Sequence, residues 1–95
     1  MQLSTLALIT KERIEQLTKH GRTVALDVEQ NKDGQLRQAA IRLLDGQRHV
    51  QDCYEFGWDR TIWKKMIAKT YDERLVIAAA LLAAERDRFI HPLTK

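Results

Sequence analysis

Residues 70–92 carry both ends of a helix in their own sequence, and this constrains the chain more than any other feature. Thr70-Tyr71-Asp72-Glu73 has the S/T-x-x-E spacing of a capping box, in which a hydroxyl and a carboxylate each satisfy a free backbone N–H at a helix start. Ten apolar residues, Leu75–Ala84, follow almost at once. His91-Pro92 closes the segment, because the residue before proline avoids helical geometry. The spacing therefore predicts a long apolar C-terminal helix from Tyr71 to about Ile90. A middle that is apolar on every side suits either the central helix of a core or one covered by a second subunit.

The rest of the chain points to an all-α fold: a single small domain, residues 1–95, of about four helices with the last as its spine. One proline and four glycines leave little material for the turns of a small β protein. Leu36, Ala39, Ala40, Leu43 and Leu44 fall at i, i+3, i+4, i+7 and i+8, the apolar stripe of an amphipathic helix. Asn31 or Asp33 is placed to cap its start, and Asp45-Gly46 to end it. Further along, Asp59 can cap a short helix in which Ile62, Trp63, Met66 and Ile67 share a face while Lys64 and Lys65 point away. Near the N-terminus, Thr10 reads as the cap of a surface helix Lys11–His20, with Ile9 and Ile14 in the positions of a hydrophobic staple and Gly21 as the stop. The connector 22–30, with Val24, Ala25, Leu26 and Val28, is either a short strand or a loop.

Composition narrows the functional classes. A content of 44% hydrophobic and 31% charged residues is that of a soluble globular chain. The longest apolar run is about half a membrane span, and the N-terminus lacks the basic, apolar pattern of a secretory leader. Cys53 has no partner for an internal disulfide, so a cytoplasmic location is expected. The net charge of +3 is too small to argue for nucleic acid by itself. Its distribution is more informative, since Arg60, Lys64, Lys65 and Lys69 lie against Asp59 alone between Gly57 and Thr70.

Several site chemistries can be weighed against plain structural roles. Glu29, Asn31, Asp33, Gly34 and Leu36 follow the first half of a calcium loop, yet the twelfth position, where a bidentate glutamate belongs, is Ala40. A polar turn with a helix cap accounts for the same residues. Cys53 lies four residues from His49, but nothing in view activates the thiol, and a small buried hydrophobe is the simpler reading. His20 and His91 sit at helix ends, where a cation is favourable without any further role. Trp63 with Arg60, Lys64 and Lys65 offers phosphate contacts and a stacking face for nucleic acid. Helical spacing favours a core Trp63 with its lysines in water. Asp72, Glu73, Glu85 and Asp87 alternate with Arg74, Arg86 and Arg88 as solvated helix ends usually do. Glu73 and Glu85, with Glu12 and Asp33, are the carboxylates that a helical bundle could bring to one metal.

Taken together, Glu12-Arg13 with Gln16, Asp33-Gly34-Gln35-Leu36 with Ala39-Ala40, Trp58-Asp59 and Trp63-Lys64 form a recognisable order. Leu75-Val76, Ala78, Ala80-Leu81, Ala84-Glu85 and Arg88 complete it. The chain resembles a family of small tailed-phage and prophage proteins with the pattern E-R-x-x-Q, D-G-E-L-A-x-A-A, W-D…W-K and L-V-x-A-x-A-L-x-x-A-E-x-x-R, over residues 11–89. That family is distantly similar to all-α nucleoside-triphosphate pyrophosphohydrolases of the MazG type, which hold Mg²⁺ between carboxylates of neighbouring helices. At the decisive places this chain departs from the pattern: Gln35 stands where relatives carry glutamate, and Val24-Ala25-Leu26-Asp27-Val28 replaces an acidic, histidine-rich loop.

The resemblance implies a non-catalytic phage or prophage accessory protein that binds a macromolecule, with no cofactor. Inhibition of a bacterial defence complex, in the manner of an anti-CRISPR protein, is its specific form. The expected partner is a host or phage protein, met through Trp58, Arg60, Lys64, Lys65 and Lys69, with Trp58 as an anchor if exposed. The alternative is a degenerate Mg²⁺-dependent nucleotide pyrophosphohydrolase using Glu12, Asp33, Glu73 and Glu85. Direct nucleic-acid binding is the weaker third reading. A homodimer is expected from the apolar surface of the last helix.

Overall fold

Five α-helices account for nearly all of the described residues of the computed structural model, which are 3–19, 21, 23–45 and 56–92. They are α1 (Leu3–Thr18), α2 (Val24–Gln30), α3 (Gln35–Asp45), α4 (Arg60–Ile67) and α5 (Tyr71–Ile90). No strand occurs among the described residues, so the fold is all-α. All four other helices pack against α5. A radius of gyration of 12.8 Å is that of one folded domain of this length.

The ends of α5 form as their residues dictate. Thr70 Oγ1 accepts from the Glu73 N–H at 3.2 Å, and Glu73 Oε1 accepts from the Thr70 N–H at 3.2 Å, closing the capping box. At the other end the His91 N–H donates to the Arg88 carbonyl at 3.2 Å, ahead of Pro92. The apolar middle of the helix is divided between core and solvent. Ile77, Ala78, Ala80, Leu81 and Ala84 are buried, and so are Arg74 and Arg88, whereas Leu75, Leu82 and Phe89 face outward.

The two buried arginines of α5 act differently. Arg74 Nη1 donates to the Leu43 carbonyl at 2.7 Å, and its Nε to the Lys69 carbonyl at 3.2 Å. Leu43 lies in the last turn of α3, where carbonyls have no partner within their own helix. One guanidinium thus caps α3 and braces the α4–α5 connection. Arg88 grips both Glu85 oxygens. The hydrogen bonds that Arg88 donates to Glu85 hold its guanidinium further above its ordinary range, against the opposing effect of burial, with the charges of Glu85, Asp27 and Asp33 adding to the rise. Arg74 is therefore a tertiary tie, whereas Arg88 keeps the local ion pair expected of it; the solvated setting expected for both is corrected, since both are buried.

The apolar core is built from Leu36, Ala39, Ala40 and Leu43 of α3, Trp63 and Ile67 of α4, the buried stripe of α5, and Phe56. The predicted α3 stripe is buried except for Leu44, which is exposed. Trp63 is in the core with Lys64 and Lys65 outside, and Asp59 caps α4 through its Oδ1 to the Ile62 N–H at 3.0 Å. Ile62 itself is exposed rather than sharing the buried face. Trp63 meets Phe56 edge-on at 5.1 Å between ring centroids, an arrangement favoured by the aromatic quadrupole.

Three further expectations are corrected. α1 begins at Leu3, and Thr10 lies inside it, donating to the Leu6 carbonyl at 2.9 Å instead of capping a helix start. The segment 22–30, expected as a strand or a loop, is helical over Val24–Gln30, and Arg22 lies outside the described residues. Thr23 caps that helix by accepting from the Leu26 N–H at 3.2 Å. Asn31 does not cap α3: it is the C-cap of α2, with its Nδ2 donating to Asp27 Oδ1 at 2.8 Å. Gly34 has φ +82°, which a side chain would strain, and it opens the turn into α3. Gly21, with φ +62°, follows the end of α1 in the conformation expected of a stop.

Candidate functional site

The calcium-like stretch is spent on structure. Asn31 is buried, Leu36 and Ala40 are in the core, and Gln35 clamps the α2–α3 turn. Gln35 Oε1 accepts from the Asp33 N–H at 2.8 Å while its Nε2 donates to the Gln30 carbonyl at 3.2 Å. A glutamate could make only the first of these bonds. The amide at Gln35 therefore has a structural use of its own.

Trp58 does not serve as an exposed anchor. It is half-buried, and its Nε1 donates to Asn31 Oδ1 at 2.9 Å, so its indole is committed to the α2 C-cap. Its ring lies 5.3 Å from Phe56 and 6.1 Å from Trp63, which makes it the outer member of an aromatic trio.

The cations of the aromatic segment divide between two faces. Arg60 and Lys64 are one helical turn apart on the outer side of α4, both exposed. Lys65 and Lys69 turn toward α1. There they line a cleft of 570 Å³ together with Ile62 and Met66, with Ile77 of α5 beneath and Glu12, Glu15, Gln16 and Lys19 of α1 on the opposite wall. Lys19 lies 3.9 Å from Glu15, and Lys69 lies 3.9 Å from Glu73. Lys65 has no ion-pair partner among the described residues.

The α1 wall was not foreseen from the sequence. Its four cleft residues follow the i, i+3, i+4, i+7 spacing of one helix face. That spacing could have grouped them but could not say which helix they meet. Gln16 is 4% exposed, and its Oε1 has no hydrogen-bond partner among the described residues.

No family model matches the chain, and no curated protein or solved structure matches it.

The four carboxylates of the hydrolase alternative are not gathered. Glu12 and Glu73 line a neighbouring cleft of 240 Å³ with Glu15 and Asp72, while Glu85 is held by Arg88. Asp33 lies in the α2–α3 turn. Among the described residues, no three of His, Cys, Asp or Glu stand close enough to hold a metal together. Glu73 is tied to its capping role, and the Thr70 hydrogen bonds hold its carboxyl below its ordinary range, with Lys69 assisting. His20, His49 and Cys53 lie outside the described residues. No helix among those described is long and apolar enough to cross a membrane.

Proposed function

We propose that the protein works by binding, holding an acidic segment of a macromolecular partner in the cleft between α1 and α4. The observation that carries this reading is an apolar base, Ile62, Met66 and Ile77, beneath an exposed and unpaired Lys65 with Lys69 beside it. An amphipathic acidic segment fits such a groove, with side chains on the base and carboxylates on the rim. Lysine at the rim steers encounter and sets specificity more than it adds affinity. A phage accessory role, with a component of a host defence complex as the captured partner, is the specific form of this reading and rests on the family resemblance.

Pull-down from a bacterial lysate with the partner identified, repeated with two variant pairs, tests the cleft. Lys65→Glu with Lys69→Glu should abolish capture, whereas Arg60→Glu with Lys64→Glu on the outer face should leave it largely intact. Equal loss in both pairs, or retention in the first, removes the cleft from the proposal. Capture of nucleic acid instead, with a steep salt dependence in a mobility shift, would assign the same cations to phosphates.

The alternative, a Mg²⁺-dependent hydrolase, has Glu12, Glu15, Asp72 and Glu73 along one cleft, but no three of them stand close enough to hold a metal together. Calorimetry with Mg²⁺ followed by a pyrophosphate-release assay on nucleotides decides between the readings. Metal binding with turnover would replace the binding proposal.

A further inference from the structure

The outward side of α5 carries an apolar seam that the chain itself does not cover. Leu75, Leu82 and Phe89 recur every seven residues and are 40%, 45% and 62% exposed. Between them on the same face lie Asp72, Ala79 and Arg86, also seven apart, with Asp72 and Arg86 exposed and Ala79 half-buried. In heptad terms, Leu75, Leu82 and Phe89 are d positions, and Asp72, Ala79 and Arg86 are a positions. Large apolar side chains repeating every seven residues on one exposed helix face, with a small residue between them at Ala79, form a stripe against which a second helix can pack.

The two charges in the seam decide what pairs with it. In a parallel dimer each a position faces its own copy, so Asp72 would meet Asp72 and Arg86 would meet Arg86 in the centre of the contact. In an antiparallel dimer each a position faces a d position. Ala79 then sits opposite Leu82 of the second copy, small against large, in two symmetric layers. Leu75 lies along the stem of Arg86 of the second copy, whose guanidinium reaches the adjacent layer, that of Asp72. The acidic N-terminal end of each seam is thereby matched to the basic C-terminal end of the other. Asp72 and Arg86 have no ion pair within the chain among the described residues, so both are available for this exchange.

We infer that the α5 seam of Leu75, Ala79, Leu82, Arg86 and Phe89 is a homodimer interface in which two copies of this chain pair antiparallel about a two-fold axis. The contact is isologous, the same patch serving both copies, and it closes without propagating. The inference does not depend on the α1–α4 cleft.

Sedimentation equilibrium of the full chain over a range of concentrations tests it. The wild type should approach twice its mass of 11.1 kDa. Leu82→Glu should yield monomer with an unchanged far-ultraviolet spectrum, since the side chain is already exposed. Asp72→Arg and Arg86→Asp should each weaken the dimer about tenfold, roughly the effect of losing 1.4 kcal/mol over the two symmetric contacts, and combining them should restore it. A wild type that stays monomeric at every concentration overturns the inference and leaves the seam to a different macromolecule. A dimer indifferent to Leu82→Glu overturns it as well. If the single charge changes weaken the dimer and the double change fails to restore it, the antiparallel arrangement is wrong.

Discussion

Replacing Arg74 by methionine should destabilise the fold severely, although most of the side chain's volume is kept. The change removes two donors: Nη1, 2.7 Å from the Leu43 carbonyl, and Nε, 3.2 Å from the Lys69 carbonyl. It also removes a guanidinium 5.6 Å from the Tyr71 ring centroid. A hydrogen bond from a charged donor contributes about 1.5 kcal/mol at the low end, which gives ~3 kcal/mol for the pair. The lost cation–π contact adds roughly 0.5–1 kcal/mol, and release of a guanidinium only 8% exposed offsets a similar amount. A net loss of ~3 kcal/mol in a domain of this length lowers Tm by roughly 12–24 °C. Urea unfolding followed by tryptophan fluorescence suits the measurement, because Trp63 is fully buried. Protein concentration must be held constant, since dimer formation would make the apparent stability depend on it. Lys64→Met, at an exposed site, is the control and should change stability by less than about 0.5 kcal/mol. A loss below about 1 kcal/mol for Arg74→Met would mean that water satisfies the Leu43 carbonyl and that Arg74 is not a fastening.

Two further outcomes are expected. Because the folded-state pKa of Glu73 is lowered, its stabilisation is fully present above the ordinary glutamate value and is lost as pH falls through the folded value. The difference in Tm between wild type and Glu73→Gln should therefore stay constant from neutrality down to the ordinary glutamate pKa and shrink only as pH is lowered below it. Gln35→Glu should lower stability by about 1 kcal/mol through loss of the bond to the Gln30 carbonyl. In calorimetry the same variant should gain no Mg²⁺ affinity, whereas a position that had merely lost a metal ligand would regain it.

The parts of the fold legible in the sequence are those whose determinants lie within one turn of themselves. Thr70 with Glu73, Asp59 before α4, and Pro92 after α5 each act on neighbouring backbone, so their roles can be read directly. Thr10 looks equally local, but a hydroxyl can bond back to the carbonyl four residues earlier as readily as it caps, and only the course of the preceding chain decides. In α2, Val24 and Val28 alternate as in a strand. The segment is helical because Thr23 caps it and because Asp27, Asn31 and Trp58 form a hydrogen-bonded chain between positions far apart in sequence. At the candidate site, Lys65 and Lys69 could be singled out from their charge. Glu12, Glu15, Gln16 and Lys19 could not, since nothing along α1 records which helix it crosses.

One wall of the cleft is held differently from the other. Among the described residues, neither α1 nor α2 contributes a side chain to the buried apolar cluster. On α1 the outward residues Leu6, Leu8 and Ile14 are apolar, while the side turned inward presents Gln16 and an Arg13 paired with Asp87 at 3.3 Å. One hydrogen-bonded ion pair to α5, with little buried apolar surface behind it, gives α1 a low local opening free energy. The lysines of α4 thus sit on the rigid body of the protein and face a wall that can swing. Anything that fills the space between them adds the apolar contact that α1 lacks, so occupancy of the cleft and ordering of the N-terminal helix are thermodynamically linked.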